Sequence, residues 1–467
     1  MTINGTSMRH IDLNGLADNA RFNKFHLGVL LWCSVIIVCD GYDLAVSGIA
    51  LPSIMKEMGV DATSAGFMVS SALFGMMFGN VLLGTIADRI GRRWAITLCV
   101  VLFSVFTAAA GLASDPVTFS IARFLAGLGI GGVMPNVIAH MTEYSPKRIR
   151  ATMVTLMFSG YSVGGMLAAL LGKGLIESYG WQSVFLAAAA PVLMLPFLLA
   201  SLPESMAFLA KRGRTAELQA IAARMEPSYV PQPGDQLDLP GSARGSAPLS
   251  ALFAQGRGMS TLMFWLTCFM TLFMVYALSS WLTKLMASAG YGLGSALTFV
   301  LVLNAGAIAG AIGGGALADR LPIKRVLVGM YLLAGVAITL LGFRLPTEAL
   351  YIVVALAGAT TIGTQIVICA YCGQYYPMAI RSTGVGFMLG FARIGAISAP
   401  IVIGLLVGME LPLQYNFVAI ALPSLLAAVT VSLIDNRRSA MADTATGSTG
   451  KEAAAGTASP VASARAQ

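Results

Sequence analysis

Apolar residues in this chain come in long blocks, not in the alternation of a half-buried strand or the three-to-four spacing of a surface helix. Twelve blocks stand at about residues 24–51, 64–87, 94–113, 117–141, 151–175, 181–202, 259–287, 293–318, 324–343, 348–373, 382–408 and 414–434, punctuated by Pro, Gly and charge. Most reach the roughly 20 residues that a helix needs to cross a bilayer. A helix satisfies its backbone hydrogen bonds internally, which hydrocarbon demands. The pattern predicts an all-α integral membrane protein of twelve transmembrane helices, spans 1 to 12. Residues 1–23 are polar and span 1 is too long for a cleaved leader, so it reads as a retained helix.

Composition agrees. Hydrophobic residues make up 57% of the chain, charged residues 11%, and the mean hydropathy is +0.79, whereas soluble domains carry about 25% charged residues. The net charge of +8 would fit a nucleic-acid binder, but its placement does not. Lys and Arg gather in alternate loops: Arg89, Arg92 and Arg93; Lys147, Arg148 and Arg150; Lys211, Arg212 and Arg214; Arg320, Lys324 and Arg325; Arg437 and Arg438. This is the positive-inside asymmetry, and it predicts both termini in the cytoplasm. The six cysteines all fall within spans. Cys369 and Cys372 have a redox-type spacing, yet they lie in an apolar helix with no second pair and read as small packing residues.

One long interruption, residues 203–258, holds Pro, Gly, charge and a helical stretch around Arg214–Met225. It reads as a cytoplasmic linker between two six-helix halves, 24–202 and 259–435. Residues 1–23 form a cytoplasmic N-terminal segment, and the Ala-, Ser-, Thr- and Gly-rich tail 436–467 is expected to be disordered. The halves are repeats. Gly84-Thr-Ile-Ala-Asp88-Arg89 is echoed by Gly315-Ala-Leu-Ala-Asp319-Arg320, an offset of 231 residues (319 − 88). The same offset carries Tyr144 to Tyr375, Pro146 to Pro377, Arg150 to Arg381, Thr152 to Thr383 and Gly164 to Gly395. Each half has an even number of spans, so the repeat is parallel, with its axis along the membrane normal.

The candidate chemistry lies in charges stranded within the spans. Asp40 and Asp43 stand three positions apart in span 1, on one helical face. A carboxylate at bilayer depth costs roughly 3 kcal/mol on insertion scales, so intramembrane acids mark function. Asp40 and Asp43 map through the repeat to Thr271 and Met274, Arg123 to Val354, and Arg393 to Ser162. Residues present in both copies serve a shared scaffold and gate; these four are unduplicated, which suits substrate or proton.

The loop Gly84-x-x-x-Asp88-Arg89-x-Gly91-Arg92-Arg93 and the stretch Arg123-Phe-Leu-Ala-Gly127-Leu-Gly129-Ile-Gly131-Gly132 resemble signature motifs of the major facilitator superfamily. The second copy of the loop departs from the pattern, with Pro322 where Gly91 stands. Asp40-Gly-Tyr-Asp43 resembles the aromatic acid:proton symporters, bacterial importers of benzoate, hydroxybenzoates and related carboxylates. So do Gly131-Gly-Val-Met-Pro135-Asn136, Thr142-Glu143-Tyr144-Ser-Pro146-Lys-Arg148, Phe158-Ser-Gly160-Tyr161-Ser-Val-Gly164-Gly165 and Arg393-Ile-Gly395-Ala396. The resemblance implies spans 1, 4, 7 and 10 lining a central cavity, and a monomer in the bacterial inner membrane that carries its anion with protons. An acid on span 1 and Arg123 on span 4 would then face each other across that cavity.

Asp40, Asp43, Arg123 and Glu143 are expected to handle protons, since one of two close acids in a poorly hydrated cavity can hold a proton near neutral pH. The plainer alternative is an acid–Arg pair that only fixes helix packing. Arg393 is favoured for the substrate carboxylate, which its planar fork matches. Tyr42, Asn136, Tyr161, Phe273, Tyr276 and Tyr371 are candidate substrate contacts, with Phe269 a further aromatic; fewer than half are expected to touch a ring. His140 joins Glu143 at the inner end of span 4, where snorkelling is the plainer reading. Asp88, Arg89, Arg92, Arg93, Asp319 and Arg320 are expected to gate the inner surface. An exporter of the same fold is the nearest competing function, but span 5 has no Gly-Pro kink. A receptor would need an output domain larger than 203–258. No nucleotide loop, metal cluster or nucleophile constellation stands in the chain, so neither an enzyme nor a cofactor is expected.

Overall fold

The computed structural model describes residues 9–232, 235–238, 249–377 and 380–439. Twelve helical segments are long and apolar enough to cross a membrane. Eleven are single helices: α2 (Lys24–Met58), α3 (Ala62–Ile90), α4 (Arg92–Ala110), α5 (Pro116–Tyr144), α6 (Arg150–Tyr179), α11 (Gly258–Ser288), α12 (Leu293–Arg320), α13 (Ile323–Leu340), α14 (Thr347–Tyr375), α15 (Arg381–Gly408) and α16 (Leu413–Ser432). Span 6, expected as one helix, is broken into α7 (Gln182–Ala187), a 3-10 turn (Ala190–Met194) and α8 (Leu195–Ser201). Pro191 and Pro196 lack the amides that would carry one helix through. Outside the spans lie the shorter helices α1 (Leu13–Asn19), α9 (Met206–Lys211) and α10 (Thr215–Met225) and the parallel pair β1 (His10–Asp12) and β2 (Gln236–Asp238).

Local chemistry sets the helix ends. Asn23 caps α2, its side chain accepting from the amides of Phe25 and His26. Gly59 closes the same helix in the left-handed region, at φ +64°. Asp115 caps α5 with Pro116 in the first turn. Gly91, at φ +96°, turns the chain between α3 and α4, and a Cβ there would lie 2.5 Å from the Glu204 carboxylate. Pro322 stands at the equivalent point with φ −54°, which explains why the second loop abandons the glycine.

The repeat is visible in the packing. A Cβ on Gly75 or Gly79 would fall on the backbone of α5, and one on Gly306 or Gly310 on that of α14. Gly164 rests against Val38, and Gly395 against Phe269. Each of these follows the offset of 231, and glycine lets the backbones approach without a hydrophobic driving force. Outward-facing side chains such as Leu31, Phe67, Val81 and Leu112 are exposed, as a lipid-facing surface requires.

The six-helix halves meet at the end of the bundle away from the basic loops. Ser70 Oγ donates to Ile397 O at 2.9 Å. Gly48 of α2 packs on the backbone of Ser279 and Ser280 in α11, and Gly66 of α3 on Pro400 of α15. Among the described residues no ion pair joins the halves. Gly48→Leu is therefore expected to wedge this seal apart, since overpacking costs about 1–3 kcal/mol. Hydrogen exchange of the far-end amides of α2 and α11 should then rise about tenfold, by the factor of ten per 1.4 kcal/mol. Unchanged exchange would show that the seal does not depend on this contact.

The basic end is tied within each half. Arg93 donates to Leu199 O at 3.3 Å, and Lys324 to Ile434 O at 2.8 Å, joining the third span of each half to the end of its sixth. Before span 1 the described residues hold β1 and α1. Arg9 pairs with Asp235 at 3.1 Å and Asp18 with Arg150 at 2.5 Å. The tail corrects one expectation: residues Asn436–Arg438 form a 3-10 turn, and the Tyr371 hydroxyl donates to Asn436. The rest of the tail, 440–467, lies outside the described residues.

Candidate functional site

The intramembrane charges lie deep in the bundle. Arg123 reaches from α5 to α2, its guanidinium 3.0 Å from Asp43 Oδ1 and 3.1 Å from the Asp43 carbonyl. The same fork donates to Thr107 Oγ1 of α4 at 2.7 Å and lies 5.8 Å from the centre of the Phe185 ring. Both charged side chains are 1% exposed. The acid and the Arg therefore bond within the first half; they do not face each other across a cavity.

Asp40 is different. It is fully buried, and neither carboxylate oxygen has a partner among the described residues. The charges that act on it are Asp43, one turn along α2, and Arg393 of α15 in the other half. Arg393 is half-buried and donates to the Tyr276 hydroxyl at 3.3 Å. Tyr276 in turn acts on Tyr161 of α6, and the two border one cavity. Four helices from both halves thus converge on Asp40, Tyr161, Tyr276 and Arg393. Beside them is a cavity of about 20 Å³ bordered by Ser47, Arg123, Tyr161, Tyr276 and Ser280. That is room for a single water, so a ring enters only when the helices part. A larger groove of about 470 Å³, lined by Phe67, Val117, Ile121 and Phe124 among others, contains none of these charges.

Several expected contacts lie elsewhere. The Tyr42 hydroxyl donates to Val184 O at 2.6 Å, so it bolts α2 to α7. Asn136 donates to Gly132 O at 2.8 Å and more loosely to Leu83 O, within the first half. Tyr371 is fully buried near the basic end, its ring 5.0 Å from that of Phe264. None of the three presents its polar group to the cavity. Phe273 is buried in α11, and Phe269 packs on Phe391 with ring centres 5.9 Å apart.

Glu143 also lies apart from the acid pair. It binds Arg92, accepts from Ser205 Oγ at 2.9 Å, and caps α9 through the Ala207 amide at 2.9 Å. His140 is buried beside Tyr144, ring centres 5.1 Å apart, with no partner on either ring nitrogen among the described residues. Arg93 receives the Glu204 carboxylate on its amide at 3.1 Å, and the carbonyl of Arg89 accepts from Arg212. Asp88 and Arg320 are exposed, with no ion pair among the described residues; the side chain of Asp319 lies outside those described. Sequence reasoning missed Glu204, although the offset of 231 that maps it onto Asp435 was available. It also missed Thr107, which carries no charge to mark it.

The profile of the Major Facilitator Superfamily matches residues 33–347 and 304–464. The chain is 46% identical to a benzoate transport protein of Acinetobacter baylyi, over 92% of this chain and 94% of that one. It is 34% identical to a gallate transporter of Pseudomonas putida, over 90% and 94%, and 32% identical to the 4-hydroxybenzoate transporter PcaK of the same species, over 91% and 95%. Among solved structures it resembles the xylose transporter XylE from E. coli in a partially occluded inward open conformation, with a TM-score of 0.69 and 16% identity over 87% of this chain and 97% of that one. It also resembles an inward-facing bacterial homologue of the lysosomal transporter Spinster, with a TM-score of 0.67 and 19% identity over 90% and 98%. Twelve spans, a parallel repeat, charges buried at the meeting of the halves and these likenesses agree: the chain is a multi-pass membrane transporter that belongs to the major facilitator superfamily and, within it, to the aromatic acid:proton symporter family.

Proposed function

We propose that the protein imports an aromatic carboxylate of the benzoate or hydroxybenzoate class together with protons, by alternating access across a bacterial inner membrane. The basic end, with both termini, faces the cytoplasm in this reading, and the halves 24–202 and 259–435 are the bodies that rock. The substrate class is supported by the 46% identity to a benzoate transport protein. The observation that carries the mechanism is the contrast between the two acids: Asp43 is bonded to Arg123, while Asp40 is buried without a hydrogen-bond partner among the described residues and within the field of Arg393.

Two anions compete for one guanidinium. When Asp40 is ionised, Arg393 compensates its charge. When Asp40 takes a proton, Arg393 is released for the substrate carboxylate, which it can bind through two parallel hydrogen bonds. Proton and anion then favour each other's presence, which is the requirement for symport. The proton also cancels the anion's work against the membrane potential, about 2.3 kcal/mol per 100 mV. Tyr161 and Tyr276 flank the ring, and their link across the halves opens as the substrate enters. At the basic end, Glu143 with Arg92 and Ser205 holds the linker onto the first half. Asp88, exposed here, grips the second half when that end closes, with Arg89, Arg93, Asp319 and Arg320 as the remaining parts of the gate. A monomer suffices, because the site draws on one chain only.

Proteoliposomes should accumulate labelled benzoate under an inward proton gradient and not without one; absence of any gradient-dependent uptake would refute the proposal. Arg393→Lys keeps the charge and removes the fork. It should raise the KM by about ten- to a hundredfold, since a hydrogen bond to a charged group is worth about 1.5–3 kcal/mol. An unchanged KM would remove Arg393 from the substrate site.

A further inference from the structure

From Thr271 to Met286 every residue of α11 is buried except Ser279 and Lys284. Leu282, Thr283, Leu285 and Met286 around Lys284 are at most 1% exposed. At this level α11 is enclosed by other helices, so the Lys side chain does not lie out along lipid. Tyr276, Ser280 and Lys284 are spaced by four residues and share one helical stripe. The first two border the central cavity, and Ser280 also packs against Gly48 in the far-end seal. Lys284 continues that stripe, about 12 Å beyond Tyr276 at 1.5 Å per residue, towards the face opposite the basic loops.

No acid answers it. Among the described residues Lys284 takes part in no ion pair or hydrogen bond. The other cations near that face, Lys56, Lys173 and Arg344, are exposed. The offset of 231 places Ser53 at the matching point of the first half, so this charge is unduplicated, as Arg123 and Arg393 are.

We propose that Lys284 is an outer recognition site for the organic carboxylate: when the far end opens, its ammonium captures the anion and passes it down the stripe to Arg393. This rests on the import reading above and adds a station to it. A lysine suits the step. Its ammonium is a strongly hydrated point charge on a flexible stem, able to attract an anion without fixing its plane, whereas the guanidinium of Arg393 holds it in one orientation. A snorkelling lysine, the ordinary role of such a residue near a helix end, would act equally on both directions of transport. A capture site acts on one.

The test compares native protein, Lys284→Met and Lys284→Arg, with labelled benzoate supplied either to the far face in whole cells or to the basic face in inverted vesicles. Lys284→Met should raise the KM from the far face about tenfold, leave the maximal rate within about twofold, and flatten the dependence of that KM on ionic strength. The KM from the basic face should not move, and Lys284→Arg should behave as native. An unchanged far-face KM in Lys284→Met, or an equal rise of KM at both faces, would overturn the assignment. If Lys284→Arg fails as badly as Lys284→Met and both melt early, the lysine is a structural anchor and the assignment is wrong. Should the native protein accumulate no benzoate at all, the import reading itself falls and takes this site with it.

Discussion

Asp40→Asn should leave a carrier that exchanges substrate but no longer concentrates it. Asn has the shape of Asp and cannot shuttle a proton. A gradient of two pH units is worth about 2.7 kcal/mol per proton, or about a hundredfold accumulation of a co-transported anion. In the variant that ratio should fall to about one, while counterflow of labelled against unlabelled benzoate stays within a few fold of native. The separation of the two readouts matters. A variant that merely misfolds loses both, and one that retains the hundredfold ratio would show that the proton rides elsewhere. Asp40 is singled out because it is the acid without a commitment: among the described residues both oxygens lack a partner, and the cation that acts on it is the half-buried one, from the opposite half of the molecule.

What could be read from the chain was what varies along one dimension. Twelve spans, their boundaries to within four residues except the end of span 1, which runs on to Met58, and the offset of 231 follow from where apolar blocks start and stop. Charges inside those blocks were equally plain: Asp40, Asp43, Arg123 and Arg393 were named, and Lys284 in span 7 was passed over. The direction in which a side chain points was harder, because it depends on which helices pack where. Even so, Tyr42 was excludable. It lies two residues from Asp40, some 200° around the helix at 3.6 residues per turn, and it faces Val184 accordingly. Tyr371 lies four residues before the end of α14, too near the basic end for a mid-membrane site. Tyr161 and Tyr276 occupy matching depths on α6 and α11, and their link across the halves needed the fold. The break in span 6 was signalled by two prolines. The ordered start of the tail was signalled by the repeat, which maps Asp435 onto Glu204, the residue that caps α4 and holds Ser205.

The partner acid should behave in the opposite way. Asp43→Asn leaves Arg123 charged, 1% exposed and without a counter-ion, and Arg123→Met leaves Asp43 in the same position. Removing one member of a buried ion pair costs about 3–5 kcal/mol, because the other charge remains stranded. Each single variant should therefore melt well below native in detergent. The double variant buries no charge and should recover most of the loss. It should not recover all of it, since Arg123 also holds Thr107 and the Asp43 carbonyl. Non-additivity of this kind measures the pair itself. The same double variant separates the two readings of Asp43. If it is stable and still accumulates benzoate against a gradient, the pair is a bolt joining α2, α4 and α5, and Asp40 alone carries the proton. If it is stable but uncoupled, Arg123 and Asp43 belong to the proton path, and the ion pair seen here is the arrangement that the path must break in each cycle.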